Sequence, residues 1–384
     1  MLLEQTGLVY DAETQEQSRR VASATSLCQL TSGSVLCGFS VGFEKQCPTS
    51  TIKICRSLDG GASWQTLPFE FRTEFEGVPG SLCAGEMVEI EPGRLALFTT
   101  WFDRSEPDRP LFDPETEGIL HSKLLLAFSD DEGESWSDWT AVPTPGLSGC
   151  AGTGPVLKWA DGTIGFSFES YKEFDDPAPS RHGAWLVLSR DGCRTFEEPL
   201  LVAQHPEHSV YYWDQRLCLD DTPGGYIGLF WTHDLAAKRD LSVHIRRADT
   251  SRFAGKLGGA DFEAAPISTT TIPGQIAAPL LLDDGRLLAF VVDRDTPGTM
   301  KLWQSADGGR TWPEGDALLV YTHDERAAIS QGKGDIDFGE YWDDMTKWSF
   351  GHPAIRRLAD GNILAAFYAG TPQCMSIRWA RICV

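Results

Sequence analysis

Asp214 closes the run Tyr211-Tyr212-Trp213, so three aromatic side chains precede it and should shield it from water. Shielding raises the pKa of a carboxyl group and suits it to act as an acid. Glycoside hydrolysis usually sets two carboxyl groups across the scissile bond. Glu86, Asp103, Glu169 and Asp214 are the candidates for such a pair. Ordinary ion pairing competes with catalysis as their explanation, because Asp103 has Arg104 beside it, Asp214 has Arg216 and Asp293 has Arg294. His352, in FGHPAI, and His233 suit a different chemistry. A His and a Tyr near a uronic acid support β-elimination, one abstracting a proton and the other protonating the leaving oxygen. His233, Asp234 and His352 are metal-ligating types, yet no ligand spacing links them, and neither a metal nor another cofactor is expected.

What must position these residues is a repeat. SLDGGASW at Ser57 to Trp64 returns as SDDEGESW at Ser129 to Trp136 and as SADGGRTW at Ser305 to Trp312, with a worn copy, SRDGCRTF, at Ser189 to Phe196. Asp and Gly here are turn chemistry: Gly supplies positive φ and Asp bonds nearby backbone groups. The closing Trp is expected to anchor the turn between repeats. A second pattern confirms the array: small and apolar residues, a turn glycine, then a strongly apolar strand. It turns at Gly33, Gly93, Gly162, Gly225, Gly285 and Gly361. Each unit reads as four antiparallel strands, so the expectation is an all-β, six-bladed β-propeller of four-stranded antiparallel blades. It forms a single domain over residues 1–384, with blades starting near Arg20, Leu82, Cys150, Tyr211, Gly274 and Gly351. A strand around Gly7 to Tyr10 is expected to close the ring, which removes an open sheet edge. One helix-like stretch, His323 to Gly334, interrupts the pattern.

A net charge of −22 argues against nucleic acid or an anionic membrane as partner, since both need a basic surface. A few local arginines can still hold an anionic small molecule. The start MLLEQTGLVYDAETQ has no signal-peptide pattern, and the ten cysteines show no CxxC pair or disulfide framework. The expectation is a reduced, cytoplasmic protein. Nothing in the chain sets an oligomeric state.

The box S-x-D-x-G-x-[ST]-W in this blade pattern resembles the Asp-box (BNR) repeats of the sialidase superfamily, over essentially the whole chain. The resemblance implies a site at one end of the central funnel, built from the starts of the innermost strands and the loops after the second strands. It thereby singles out Glu86, Asp103, Asp214 and His352 as catalytic candidates. Arg20, Arg104, Glu169, Tyr212, His233, Gln275, Arg294 and Tyr368 are the candidates for substrate binding. Trp101, Trp213 and Trp231 are candidates to pack on pyranose faces. Sialidases hold a sugar carboxylate with three arginines, because bidentate Arg–carboxylate pairing is hard to replace. Here Ser23 stands at the position of the first of them, and Gln275 and His352 stand where others would be sought. The expectation is therefore a sialidase-like glycoside hydrolase whose substrate need not be sialic acid. A polysaccharide lyase or other uronate-acting enzyme, and a non-catalytic carbohydrate-binding propeller, are the alternatives.

Overall fold

The second strand of each repeat is apolar without alternation, as in Leu95-Ala96-Leu97-Phe98 or Leu287 to Val292. Such runs suit strands covered on both faces, and both of these are buried. The computed structural model describes residues 1–250, 267–295, 297–323 and 345–384. After β1 (Leu2–Tyr10), the first repeat unit contains β2 (Val21–Gln29), β3 (Val35–Gly42), β4 (Thr51–Ser57) and β5 (Gln65–Thr66). The second contains β6 (Gly80–Glu91), β7 (Arg94–Asp103), β8 (Ser122–Ser129) and β9 (Thr140–Ala141). The third contains β10 (Ser148–Lys158), β11 (Ile164–Tyr171), β12 (Gly183–Ser189) and β13 (Leu200–Ala203). The fourth contains β14 (Val210–Leu219), β15 (Gly225–Asp234), β16 (Arg239–Asp249) and β17 (Ser268–Thr269). The fifth contains β18 (Ala277–Leu281), β19 (Leu287–Asp293), β20 (Gly298–Ser305) and β21 (Leu318–His323). The last contains β22 (Phe350–Arg357), β23 (Ile363–Thr371) and β24 (Cys374–Cys383).

The fold is an all-β propeller, but the expectation of six four-stranded blades is corrected. Four blades are separate four-stranded sheets, β6–β9, β10–β13, β14–β17 and β18–β21. The first and last units instead share one eight-stranded sheet, in the order β22-β23-β24-β2-β3-β4-β5 with β1 paired to β24. The join is a parallel bridge between Val21 and Met375. It is tightened by the Met375 N–H, which donates to the Arg20 carbonyl at 2.8 Å. The reason is local. β1 pairs antiparallel with β24 from Leu2↔Cys383 to Tyr10↔Ile377, and after two short 3-10 turns, Ala12–Thr14 and Gln17–Arg19, the chain enters β2 against the same strand. The helix-like stretch lies, beyond His323, outside the described residues.

The eight-residue turns join the third strand of a unit to the fourth. In the first, the Ser63 N–H donates to Asp59 Oδ1 at 2.9 Å and the Ser63 hydroxyl to Oδ2 at 2.6 Å. The Ser57 hydroxyl bonds Asp59 Oδ1 at 2.8 Å and accepts the Gly61 N–H at 2.8 Å. The turns at Asp131 and Asp307 repeat this set, and so does the worn copy at Asp191. Position five is left-handed in all four, with Gly61 at φ 92°, Gly133 at 93°, Gly309 at 93° and Cys193 at 65°. The closing aromatics sit between units: Trp136 packs with Leu36 and Ile54 on one side and Leu95 and Leu125 on the other. Trp312 does the same between the fourth and fifth units.

Hydrogen bonds from Ser63 pull the Asp59 carboxyl down to about 2 from 3.8. A depressed carboxylate contributes stability above its unfolded value and loses it as pH falls through the folded one. Asp59→Asn should therefore cost roughly 1 kcal/mol at pH 7, as for a lost cap at an exposed site. The deficit should shrink as pH falls from 4 toward about 2, where the native carboxylate is itself protonated. Urea denaturation across that range checks both parts.

Candidate active site

The innermost strands carry bulges at one common height. Their registers slip between Ser23 and Ser26 in β2, Cys83 and Glu86 in β6, and Gly152 and Val156 in β10. The same slip falls between Trp213 and Arg216 in β14 and between Gly351 and Ala354 in β22. Each bulge holds a left-handed residue: Ala24 (φ 55°), Ala84 (62°), Gly154 (65°), Asp214 (46°) and His352 (53°). A non-glycine residue there costs about 1–3 kcal/mol, and such outliers gather where a backbone must re-aim a side chain. Here they surround one cavity of roughly 150 Å³, whose lining includes Ala24, Ala84, Thr153, Asp214 and His352.

Two carboxyl groups share one wall. Glu169, near the end of β11, is buried, and Asp214 keeps 25% of its side chain exposed. The Tyr171 hydroxyl donates to Glu169 Oε2 at 2.7 Å, and the N–H of Gln215 donates to Oε1 at 3.2 Å. Burial, with Asp214 nearby, pushes Glu169 up to about 8. Asp214 instead pairs with Arg216, Nη2 to Oδ1, at 3.0 Å. Burial and then Glu169 push the Tyr171 phenol well above its ordinary value.

Arg216 also settles the state of His352. Its Nη2 lies 2.6 Å from His352 Nε2, while His352 Nδ1 lies 3.1 Å from the Thr25 carbonyl. A carbonyl only accepts and a guanidinium only donates, so the ring is neutral with its proton on Nδ1. Burial and then the Arg216 charge hold His352 well below its usual pKa. Its acceptor nitrogen is already engaged, which disqualifies it as the proton-abstracting base of an elimination.

The opposite side is cationic. Lys45 Nζ donates to the Met345 carbonyl at 2.6 Å, to the Tyr368 hydroxyl at 3.2 Å and, more weakly, to the Trp348 carbonyl at 3.4 Å. Arg294 lies over the Trp348 ring at 4.1 Å and donates from Nη2 to the Phe350 carbonyl at 3.3 Å. Its Nε and Nη1 are buried without a hydrogen-bond partner among the described residues. Burial works to raise the Tyr368 phenol, but Lys45 and Arg294 together bring it below its ordinary value. Trp213, Trp231, Phe112 and Ile119 add apolar wall.

Of the residues singled out from sequence, the cavity brings together Asp214, His352, Glu169, Arg294 and Tyr368. Glu86 is buried beside the cavity, facing Arg216. Gln275 stands one layer back: its Oε1 accepts the Arg294 N–H at 3.0 Å and its Nε2 donates to Asp240 at 3.2 Å. His233 stacks on Trp213 and turns Nδ1 to Asp240 at 3.0 Å. Tyr212 packs instead against Phe230 and His244. Arg104 braces loops, donating to Ser81 Oγ at 2.8 Å and to the Gln46 carbonyl at 2.7 Å. Asp103 lines a separate surface hollow with Glu106 and Glu173, and Arg20 is exposed, bonded to the Gln15 carbonyl. Trp101 donates to the Thr73 carbonyl, away from the cavity. Among the described residues no group of three His, Cys, Asp or Glu is arranged to hold a metal. Sequence reasoning missed Lys45, Met345 and Trp348 as lining residues; for Lys45 the available signal was its place one residue past Glu44 in the loop after β3.

No known family model matches the chain, and no curated protein matches it in sequence. In architecture it resembles a Dyadobacter fermentans protein of unknown function at 14% identity and TM-score 0.70, covering 99% of this chain and 98% of that one. It also resembles a Hadza microbial sialidase at 17% identity and TM-score 0.64, covering 98% of this chain and 68% of the sialidase. An alpha-L-arabinanase of Penicillium chrysogenum, complexed with arabinobiose, gives 13% identity and TM-score 0.64, with 100% and 98% covered. At these identities the likeness shows the fold alone, a propeller shared with glycoside hydrolases.

Proposed function

We propose that the chain is a glycoside hydrolase that takes an anionic carbohydrate into this cavity. The observation that carries the reading is the pair of carboxyl groups on one wall in opposite surroundings, Glu169 desolvated and Asp214 ion-paired and more open. Environments that separate two carboxyl groups divide the labour between acid and base or nucleophile. Glu169, protonated near neutral pH, gives its proton to the glycosidic oxygen, and Asp214 faces the anomeric carbon or the attacking water. Trp213 and Trp231 give the sugar ring an apolar wall. Nε and Nη1 of Arg294, which have no hydrogen-bond partner among the described residues, supply in the field of Lys45 donors and positive charge for an anionic substituent.

The lowered Tyr368 phenol between two cations favours a second reading, uronate β-elimination with Tyr368 as base. One experiment addresses both. Anionic and neutral aryl glycosides and natural oligosaccharides are offered to the folded protein, and products are followed for reducing ends and for ultraviolet-absorbing unsaturation. Hydrolysis of anionic members is expected, with Arg294→Ala weakening their binding by about 10- to 100-fold and leaving neutral ones little changed. Unsaturated product would move the reading to the lyase, and binding without turnover would overturn both.

A further inference from the structure

Beside the cavity, in a smaller pocket that it lines with Thr25, Pro155, Arg216, Ala278 and Ile355, lies a carboxyl group that the proposed reaction does not touch. Glu86 is only 3% exposed. Its place is shaped for it, since a Cβ on Gly154 would collide with the Glu86 carboxyl, and Gly154 already holds φ +65°. Glu86 Oε1 faces Arg216 Nη1 at 3.7 Å, and that same nitrogen donates to the Thr153 carbonyl. The other arm of the guanidinium, Nη2, reaches Asp214 at 3.0 Å and His352 at 2.6 Å. Arg216 is therefore held on one arm by Glu86 and Thr153 and turns the other arm to Asp214 and His352, which line the cavity.

We propose that Glu86 is a positioning residue, which fixes the plane of Arg216 so that Arg216 in turn orients Asp214 and holds His352 in its Nδ1–H form. A guanidinium is a rigid planar fork, so an anchor on one arm sets the direction of the other. Without Glu86, Nη1 keeps only the Thr153 carbonyl, and the guanidinium loses the ion pair on that arm that helps to set its plane against Asp214 and His352. The role of Asp214 rests on the hydrolase reading, whereas the link from Glu86 to His352 does not.

Charge couples the two ends. Glu86 faces Arg216, Arg356 and Asp214, with the thiols of Cys28 and Cys37 in its neighbourhood. His352 faces Arg216, Lys45 and Arg294. Burial, against the pull of Arg216, pushes Glu86 up to about 7, so its charge changes within a measurable range while His352 stays neutral.

The test is nuclear magnetic resonance of the ligand-free full chain labelled with ¹⁵N-histidine, from pH 5 to 9, with His352 assigned by its loss in His352→Asn. The expected wild-type result is a neutral Nδ1–H ring throughout, whose Nε2 signal shows a step with a midpoint near 7, separate from any response near 8, where Glu169 titrates. Glu86→Gln keeps the shape without the charge and should abolish the step. Arg216→Lys should break the link outright, with loss of the fixed tautomer. A step that persists unchanged in Glu86→Gln, or a His352 signal indifferent to both substitutions, would overturn the proposal. Should Glu86→Gln fail to fold, Glu86→Asp takes its place: a displaced midpoint supports the proposal and an unmoved one overturns it. No substrate enters this measurement, so a failed glycoside screen leaves it intact, and a failed titration leaves the hydrolase reading intact.

Discussion

Replacing Glu169 by glutamine should lower kcat/KM on a glycoside by about 10²- to 10⁴-fold, the usual contribution of a general acid, while making the protein more heat-resistant at alkaline pH. The first half follows from removing the transferable proton. The second follows from linkage. The native state keeps the Glu169 proton up to about 8, whereas an ordinary Glu releases it near 4.5. Between those values the native state binds more protons than the unfolded one, so this group's contribution to stability falls as pH rises. Glutamine carries no charge to bury, and its amide can bond with Tyr171 and the Gln215 N–H, so the penalty disappears. Thermal midpoints of both proteins should diverge as pH rises from 5 to about 8 and keep a constant gap above it, the variant lying higher there. Parallel curves would mean that Glu169 is not the desolvated acid described above. The wild-type activity should decline through the same region, because an acid that has lost its proton cannot give it.

Asp214→Asn should lower kcat by about 10³-fold, within the range for a base acting on the reacting centre, and here stability moves the other way. Asparagine tolerates the left-handed backbone that Asp214 adopts at φ 46°. It cannot replace the 3.0 Å ion pair to Arg216, whose side chain is only 3% exposed. Removing one partner of a buried pair costs about 3–5 kcal/mol, and the partial exposure of Asp214 places the loss nearer 1–3 kcal/mol. Alanine should lose about 1 kcal/mol more, through backbone strain alone. The two carboxyl-to-amide changes thus have the same sign for activity and opposite signs for stability. Urea denaturation of both at pH 8 makes the comparison directly.

The turn motif made the array legible because its Ser, Asp and Gly each satisfy a local backbone need, so the pattern survives wherever the turn does. Even the worn copy keeps the hydrogen bonds, with Cys193 taking the left-handed position. The shared eight-stranded sheet was not legible, because it depends on a pairing between Val21 and Met375, at opposite ends of the chain. The site was legible only in part, for a different reason. Side chains alternate along a strand, and an extra residue in a bulge reverses the alternation beyond it. Counting along β6 places Glu86 at the funnel mouth, but the slip after Cys83 carries it into the smaller pocket beside the cavity. Counting along β14 cannot tell Tyr212, which packs between units, from Asp214, which reaches the cavity. Arg104 and Arg294 both follow an aspartate, yet one is consumed by loop carbonyls and the other keeps two donors without a partner among the described residues, a distinction set by contacts far away in sequence.

The five bulges also have a meaning for how this scaffold could be rewritten. Four of them are sockets in which the backbone has already been bent to aim a side chain at the cavity, the fifth being Gly154 against Glu86, and the occupants are not equally informative. Asp214 and His352 fill theirs with polar groups, while Ala24 and Ala84 line the same cavity with a methyl group each. At those two positions the conformational strain of a left-handed residue is already present in the folded chain. An asparagine or aspartate placed there inherits the aim without new distortion, and suits that backbone better than alanine does. The propeller is thereby a ring of exchangeable heads on a repeated mounting, with two mounts effectively blank, and changes of specificity can be sought there without disturbing the turns that hold the array together.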